Sequence, residues 1–383
     1  MAAVTSLTPV TPVTPATSTT PLLAVVVVDD SPVQRRFVRA TIEATAGFTV
    51  VGEARNGKEA VALVARLRPS AVLMDLDLPV MGGIEAIERI MAATPTPIVV
   101  YSGHVGGPAS ANALAALAAG AVEVLAKPGA DHHGSLEDHA LALVRCLRVA
   151  ARIRVITHPR STLRRQGFGV SATSRRLLPP GTGPATADAG RHTGGVSLLA
   201  IGASTGGPQA LATVLAALPA DLDQAVLVVQ HMAEGFIPGL AAWLDGLLAL
   251  PVVVGRGGGR LQRGTVTIAP SGANLLVQDD QLHVRSTPPE PGQFHVPGID
   301  ACFTSIADTV GPEAVGVLLT GMGRDGAAGL KRMRDCGSAT LGQDEATSTV
   351  YGMPKEAMAL DAVERQLPLP EIGPALVALL ERT

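Results

Sequence analysis

The stretch Ala24-Val25-Val26-Val27-Val28-Asp29-Asp30-Ser31-Pro32, residues 24–32, decides the fold. Five consecutive apolar residues without polar alternation are the pattern of a strand buried on both faces of a parallel sheet. Asp30-Ser31-Pro32 then starts a helix, pairing a side-chain cap with a proline whose fixed φ suits the first turn. Four more short apolar runs follow at the spacing of successive βα units: Thr49–Val51, Ala71–Met74, Ile98–Tyr101 and Val122–Ala126, with Ala-rich helical stretches between them. Five strands and five helices over residues 22–150 predict a flavodoxin-like unit built on a five-stranded parallel sheet.

On either side of this unit the pattern changes. Residues 1–21 repeat Thr-Pro pairs (Thr8-Pro9, Thr11-Pro12, Thr14-Pro15), which neither build a helix nor bury apolar surface, and are expected to form a disordered tail. Residues 151–195 are rich in Arg, Gly and Pro. From Arg152 onward they hold eight arginines against the single acid Asp188, the composition of a solvated interdomain linker rather than a docking patch. Periodicity resumes at Ser197–Ile201, Ala225–Val229, Val266–Ile268, Ala314–Leu319 and Thr340–Leu341. Residues 196–383 are therefore expected to form a second α/β domain, doubly wound and mostly parallel. At 383 residues the chain is long enough for two cores.

Composition narrows the function. Aromatics make up only 2% of the chain, so the cores rest on aliphatic packing, and the net charge of −3 lacks the attraction a nucleic-acid binder uses. No helix-turn-helix pattern or basic recognition helix is evident, so nucleic acid is not an expected partner. Cys146, Cys302 and Cys336 are few, odd in number and far apart, which argues for a reducing compartment. The longest apolar runs, such as Leu22–Val28, are too short to cross a bilayer. A cytoplasmic protein without membrane insertion is expected.

Asp29 and Asp30 follow the first strand, Asp75 the third, Ser102 ends the fourth and Lys127 follows the fifth, just before Pro128. All fall at the carboxyl ends of parallel strands, the edge where open α/β sheets bind ligands, and three carboxylates there suit an octahedral Mg²⁺. Any one of these residues is a routine turn former or helix cap; the ordered set is not. With the strings VVVVDDS, LMDLDLPVMGG, VYSG and AKP in order, residues 22–150 resemble the response-regulator receiver family. The resemblance implies that Asp75 accepts phosphate from a histidine kinase and that Asp29, Asp30 and Asp75, with the backbone carbonyl of Asp77, hold Mg²⁺. It also implies that Ser102 is the switch hydroxyl and that Lys127 pairs with the phosphoryl group. Gly82 stands where many receivers carry Asp, a departure expected to affect the loop rather than the chemistry.

In the second domain, Gly202-Ala203-Ser204-Thr205-Gly206-Gly207-Pro208 sets a serine on a sharp strand-to-helix turn and satisfies the G-x-S-x-G elbow formula. Alone it reads more readily as a phosphate-binding turn, a common use of Gly/Ser/Thr loops before helices. A serine hydroxyl needs a base, and His231 follows the strand Ala225–Val229; Asp325 lies in the glycine-rich loop after Ala314–Leu319. Three strand-end loops thus supply a nucleophile, a base and an orienting carboxylate. The order Ser, His, Asp is not that of the α/β-hydrolases, so an ordinary lipase or esterase fits poorly.

The strings IGASTGGP, QHM, IAP, LLTGMGRDGAAG and QDEATSTVYGMP resemble the catalytic domain of the chemotaxis protein-glutamate methylesterases, the CheB family, over about residues 196–380. The resemblance implies that Ser204, His231 and Asp325 are catalytic, that amides near Met322 help hold an oxyanion, that Thr205 lines the pocket, and that no cofactor is needed for ester hydrolysis. It further implies methyl-accepting chemotaxis receptors as substrates, glutamine deamidation as a second activity, and an unphosphorylated receiver that covers the Ser204 cleft. Gln343–Glu345 and Tyr351–Pro354 are expected to frame the site. His295-Val296 departs from the family, which usually has an Arg after that His. His283, His104, His132 and His133 are expected at the surface. A phosphorylation-controlled esterase with another substrate, or a second domain that only binds a partner, remains a competing reading of the residues.

Overall fold

The computed structural model describes residues 22–103, 108–128, 135–153, 196–233, 235–293 and 295–380, with the side chains of 108–111 excepted. The expected tail and most of the expected linker, 154–195, lie outside these residues, as do His104, His132 and His133.

Strand β1 (Leu23–Val28) is an interior strand of the first sheet. Val25 to Val28 are at most 2% exposed, as a run without polar alternation requires. It pairs in parallel with β2 (Phe48–Ala54) and β3 (Ala71–Met74), and β4 (Ile98–Ser102) and β5 (Glu123–Ala126) complete the order β2-β1-β3-β4-β5. This is the flavodoxin-like order. Helix α1 (Pro32–Glu43) begins where the sequence places it, with Ser31 Oγ accepting from Gln34 N at 3.4 Å. Helices α2 (Gly57–Leu67), α3 (Gly83–Ala93), α4 (Pro108–Ala118) and α5 (Leu136–Ala150) follow, the last opened by a Ser135/Asp138 capping box.

The second sheet has seven strands in the order β14-β13-β12-β6-β7-β9-β8, all pairs parallel. Its strands are β6 (Leu198–Ala203), β7 (Ala225–Gln230), β8 (Val252–Val254), β9 (Val266–Ile268), β12 (Ala314–Leu318), β13 (Ala339–Gln343) and β14 (Arg365–Leu367); β10 (Asn274–Val277) and β11 (Val284–Thr287) form a separate antiparallel pair. Helices are α6 (Gly207–Leu215), α7 (Ile237–Asp245), α8 (Ile299–Thr309), α9 (Ala327–Asp335), α10 (Met353–Ala359) and α11 (Leu369–Leu380). Periodicity missed β8 and β14 because they are three-residue strands at the sheet's two edges, and β14 is mostly polar and exposed. From β6 the chain winds outward through β7, then returns to β12 on the other side. The crevice between β6 and β12 is thus the topological switch point, where such sheets bind ligands.

The two domains are docked. Gln209, in the first turn of α6, donates through Nε2 to Leu117 O at 2.6 Å and Ala121 O at 3.2 Å, the carbonyls around the end of α4.

With aromatics scarce, Phe303 is a disproportionate part of the second core: fully buried in α8, its Cβ faces Gly329 of α9 so closely that a Cβ there would lie 2.7 Å away. Phe303→Ala is expected to cost about 3–5 kcal/mol in urea unfolding followed by far-UV circular dichroism, and a cost under about 1 kcal/mol would refute this packing role.

Candidate active site

Three adjacent strands, β12, β6 and β7, end at one edge of the second sheet, and each delivers one of the residues singled out above. Ser204 directly follows β6, and its amide donates to Thr320 O at 3.0 Å while Gly207 N returns to Ser204 O at 2.7 Å. The turn needs glycine twice. Gly206 has φ +76°, and a Cβ on Gly207 would fall 2.0 Å from Gln230 Oε1. His231 follows β7, with its amide on Ala203 O at 3.0 Å. Asp325 follows β12 at the start of α9.

His231 Nε2 and Asp325 Oδ2 are 2.7 Å apart. The carboxylate is further held by backbone amides: Oδ2 accepts from Ile299 N at 2.9 Å, and Oδ1 from Asp300 N at 2.9 Å and Gly326 N at 3.1 Å. Burial would raise the Asp325 pKa, but the imidazole's hydrogen bond and charge, with those amides, outweigh it and hold the group at about 2. Asp325 is an anion throughout the physiological range, so Nε2 of His231 is the protonated nitrogen. Nδ1, buried and without a hydrogen-bond partner among the described residues, is the nitrogen left to act as base. In the familiar serine-protease triad the two ring nitrogens have the opposite roles. No Ser204–His231 hydrogen bond is present among the described residues. A base needs only to reach that proton once substrate is bound.

A second imidazole lies against the first. His295 stacks on His231 with ring centroids 4.3 Å apart and planes 9° from parallel. Burial, then the charge of His231, push its pKa down to about 4, so it is neutral and adds no competing cation. The sequence marked its neighbourhood only as a departure from a family string. Stacking across 64 residues of chain has no local signal.

Two buried polar side chains brace the loops. Gln230 Nε2 donates to Ser204 O at 2.9 Å and His231 O at 2.7 Å, tying the nucleophile and base loops together. Gln343, fully buried, accepts from Thr320 N at 2.8 Å and donates to Thr347 O at 2.8 Å, which fits the framing role expected of it. Thr320, which sequence reasoning passed over, donates to Thr205 O at 3.0 Å and accepts from Val350 N at 2.9 Å. Met322 stands in the loop beside Ser204: a Cβ on the preceding Gly321 would lie 2.7 Å from Ser204 Cβ. Tyr351 is bonded through its hydroxyl to Gln366 Nε2 at 2.5 Å. His283 is exposed as expected, and pairs with Asp279 at 2.9 Å.

The acidic cluster of the first domain is assembled at the corresponding sheet edge. Asp29, Asp30 and Asp75 bring carboxylate oxygens within 4.8 Å of one another, a donor set suited to a hard divalent cation. Lys127 Nζ bridges Asp75 Oδ2 at 2.6 Å and Asp29 Oδ2 at 2.7 Å. Burial raises the Asp75 pKa against the pull of Lys127, and the charge of Asp29 adds to the rise. Ser102 ends β4 and is buried, its carbonyl accepting from Lys127 N at 2.7 Å. Asp77 is exposed in the loop before α3. Gly82 caps α3 without a side-chain bond, and the adjacent Gly83 is the constrained position: a Cβ there would sit 2.2 Å from Asp75 O.

The docked receiver reaches the serine loop. Glu123 stands at the start of β5; burial raises its pKa to about 7, partly offset by the nearby Thr205 side chain and by Val124 N.

The chain matches the family model of the CheB methylesterase over residues 199–376 and that of the response regulator receiver domain over residues 25–134. Among curated relatives, protein-glutamate methylesterase/protein-glutamine glutaminase 3 of Paramagnetospirillum magneticum is 41% identical over 93% of this chain and 96% of its own length. Protein-glutamate methylesterase/protein-glutamine glutaminase 4 of Geobacter metallireducens is 39% identical over 94% and 99%. The crystal structure of the Thermotoga maritima CheB methylesterase catalytic domain is 30% identical, covers 48% of this chain and 98% of its own, and superposes with a TM-score of 0.46. Relatives that match both modules over nearly their full length show that the chain belongs to the CheB family of protein-glutamate methylesterase/protein-glutamine glutaminases.

Proposed function

We propose that the chain is a phosphorylation-activated protein-glutamate methylesterase that hydrolyses glutamate methyl esters on methyl-accepting chemotaxis receptors, releasing methanol, in chemotaxis adaptation. The observation that carries the chemistry is the His231–Asp325 pair beside Ser204, with Nδ1 of the imidazole unpartnered. Ser204 Oγ attacks the ester carbonyl carbon as its proton passes to His231 Nδ1. Asp325 on Nε2 stabilises the resulting imidazolium, and amides of the Met322 loop hold the oxyanion with Thr205 lining the pocket. Collapse of the tetrahedral intermediate transfers the proton to departing methanol. Water, deprotonated by the same nitrogen, then cleaves the acyl-enzyme. The same sequence on a glutamine side chain releases ammonia, so protein-glutamine deamidation belongs to the same machinery.

Regulation resides in the receiver. Asp75 accepts phosphate from a histidine kinase; Mg²⁺, held by Asp29, Asp30, Asp75 and the carbonyl of Asp77, supplies charge neutralisation at the phosphoryl oxygens when bound. Lys127 exchanges its bond to Asp75 for one to the phosphoryl group, and the Ser102 hydroxyl turns toward it. Strand β5 joins the two sites: Glu123, near the Thr205 side chain, and Lys127, bonded to Asp75, are four residues or about 13 Å apart on one extended segment. The docked receiver is the restrained state, and phosphorylation shifts the population toward an exposed serine cleft. No helix among the described residues is long and apolar enough to cross a membrane. A cytoplasmic location is part of the proposal and fits three free cysteines.

Three outcomes test this reading. Methanol release from methylated receptor membranes is expected to vanish in Ser204→Ala and to fall about 10⁴-fold in Asp325→Asn, whose amide no longer fixes the imidazole tautomer; activity retained in Ser204→Ala sinks the mechanism. A small phosphodonor is expected to stimulate release only with Mg²⁺ present and Asp75 intact, so stimulation surviving chelator or Asp75→Asn rules out the switch. The third concerns Glu123, whose docked pKa of about 7 exceeds its ordinary 4.5. A raised carboxyl pKa means that docking is strongest when Glu123 is neutral and weakens as pH rises from about 4.5 to about 7. The ratio of unstimulated to stimulated activity is therefore expected to climb across that window, and to stay flat in Glu123→Gln; identical profiles in the two proteins would refute it.

A further inference from the structure

Helices α8 and α9 both start at a glycine. Gly298 and Gly326 are their N-caps, and neither has a side chain with which to satisfy the free amides of its own first turn. Those amides are satisfied from the other helix. Asp325, just before the Gly326 cap, accepts from Ile299 N and Asp300 N, the first two amides of α8, each at 2.9 Å. Asp300, the second residue of α8, returns the bond: its Oδ1 accepts from Gly329 N, in the first turn of α9, at 2.7 Å. Each aspartate caps its neighbour's helix, and each N-terminal dipole favours the carboxylate it receives.

The close approach of the two helix starts depends on glycine. A Cβ on Gly326, whose φ is +88°, would fall 2.6 Å from Ile299 Cγ2, and one on Gly329 would fall 2.8 Å from Asp300 O. Setting a second carboxylate beside an anionic one is unfavourable. Burial raises the pKa of Asp300, the Gly329 amide pulls it back, and the charge of Asp325 adds to the rise. Of the two carboxylates, Asp325 is the one on the imidazole, through Oδ2 and His231 Nε2, and no hydrogen bond joins Asp300 to Ser204 or His231 among the described residues.

We propose that Asp300 is a positioning residue of the hydrolase: by capping α9 from α8 it fixes the helix start that holds Asp325 on His231 Nε2, and so keeps the imidazole in the tautomer whose Nδ1 is the base. The connection is short. Gly326 N, at the start of α9, is one of the three amides on Asp325, so a first turn that loosens when Gly329 N loses its acceptor loosens the carboxylate with it. The inference deepens the methylesterase reading and rests on it for the reaction that Asp300 serves.

The test is a double-mutant cycle on the full chain with phosphodonor, reading kcat and KM for release of tritiated methanol from methylated receptor membranes. Asp300→Ala alone is expected to lower kcat by about 10- to 100-fold with KM unchanged, and to lower it by less than about threefold further when Asp325 is already Asn. Asp300→Asn, which keeps an acceptor for Gly329 N, is expected to stay within about threefold of the wild type. A second readout on the same proteins is the far-downfield proton resonance of His231 Nε2–H, expected to shift or broaden in Asp300→Ala and to persist in Asp300→Asn. An unchanged kcat in Asp300→Ala, an equal fall in both backgrounds, or an Asp300→Asn no better than the alanine variant overturns the positioning role. If Asp300→Ala does not fold, Asp300→Glu, its acceptor displaced by one methylene, takes its place in the cycle with the same outcomes deciding. A folded wild-type chain that releases no methanol defeats the methylesterase reading instead, and the Nε2–H resonance then decides the role of Asp300.

Discussion

The adjacency of strands β12, β6 and β7 is the constraint on which the site depends. Ladder hydrogen bonds keep neighbouring parallel strands at a fixed spacing of about 4.8 Å, so three loops leaving the same edge arrive within side-chain reach of one another. Because β6 and β12 separate the two winding directions of the chain, no helix crossover fills the crevice between them. Ser204, His231 and Asp325, up to 121 positions apart in sequence, meet at these adjacent strand ends. The side chains of Gln230, Thr320 and Gln343 then bond to the backbones of those loops, converting strand spacing into side-chain position.

Each domain solves the problem of a buried carboxylate, and by different means. Asp325 gathers three backbone amides and one imidazole, enough to overcome burial and keep it strongly acidic. Asp75 has one amide and a lysine shared with Asp29, and there burial wins. The contrast fits the roles proposed for them. A carboxylate that orients an imidazole gains from permanent ionisation, whereas one that would give up its lysine to a phosphoryl group gains from being held less tightly.

The docking of the domains joins these two chemistries through short connections. Gln209 begins the helix that follows the serine turn, yet its amide is bonded to carbonyls of the receiver. Thr205, next to Ser204, lies near Glu123 at the start of β5, the strand that leads into Lys127. Residues of β5 thus stand directly beside those bordering Ser204, the short connection that the proposed switch uses.

Much of this was legible in the chain itself. Unbroken apolar runs mark doubly buried strands, and residues immediately after them are bound to the sheet's carboxyl edge, so both folds and the positions of Asp29, Asp75, Lys127, Ser204, His231 and Asp325 could be read from local pattern and order. What local pattern does not carry is partnership between distant segments. The stacking of His295 on His231, the choice of Nε2 for Asp325, the brace of Thr320 and the approach of Glu123 to Thr205 each join residues with no periodicity or motif in common. Strands β8 and β14 escaped for a related reason: three residues at a sheet edge are held by their neighbours rather than by their own propensity. Burial, tautomer and domain docking are properties of surroundings, and the surroundings exist only once the chain has folded.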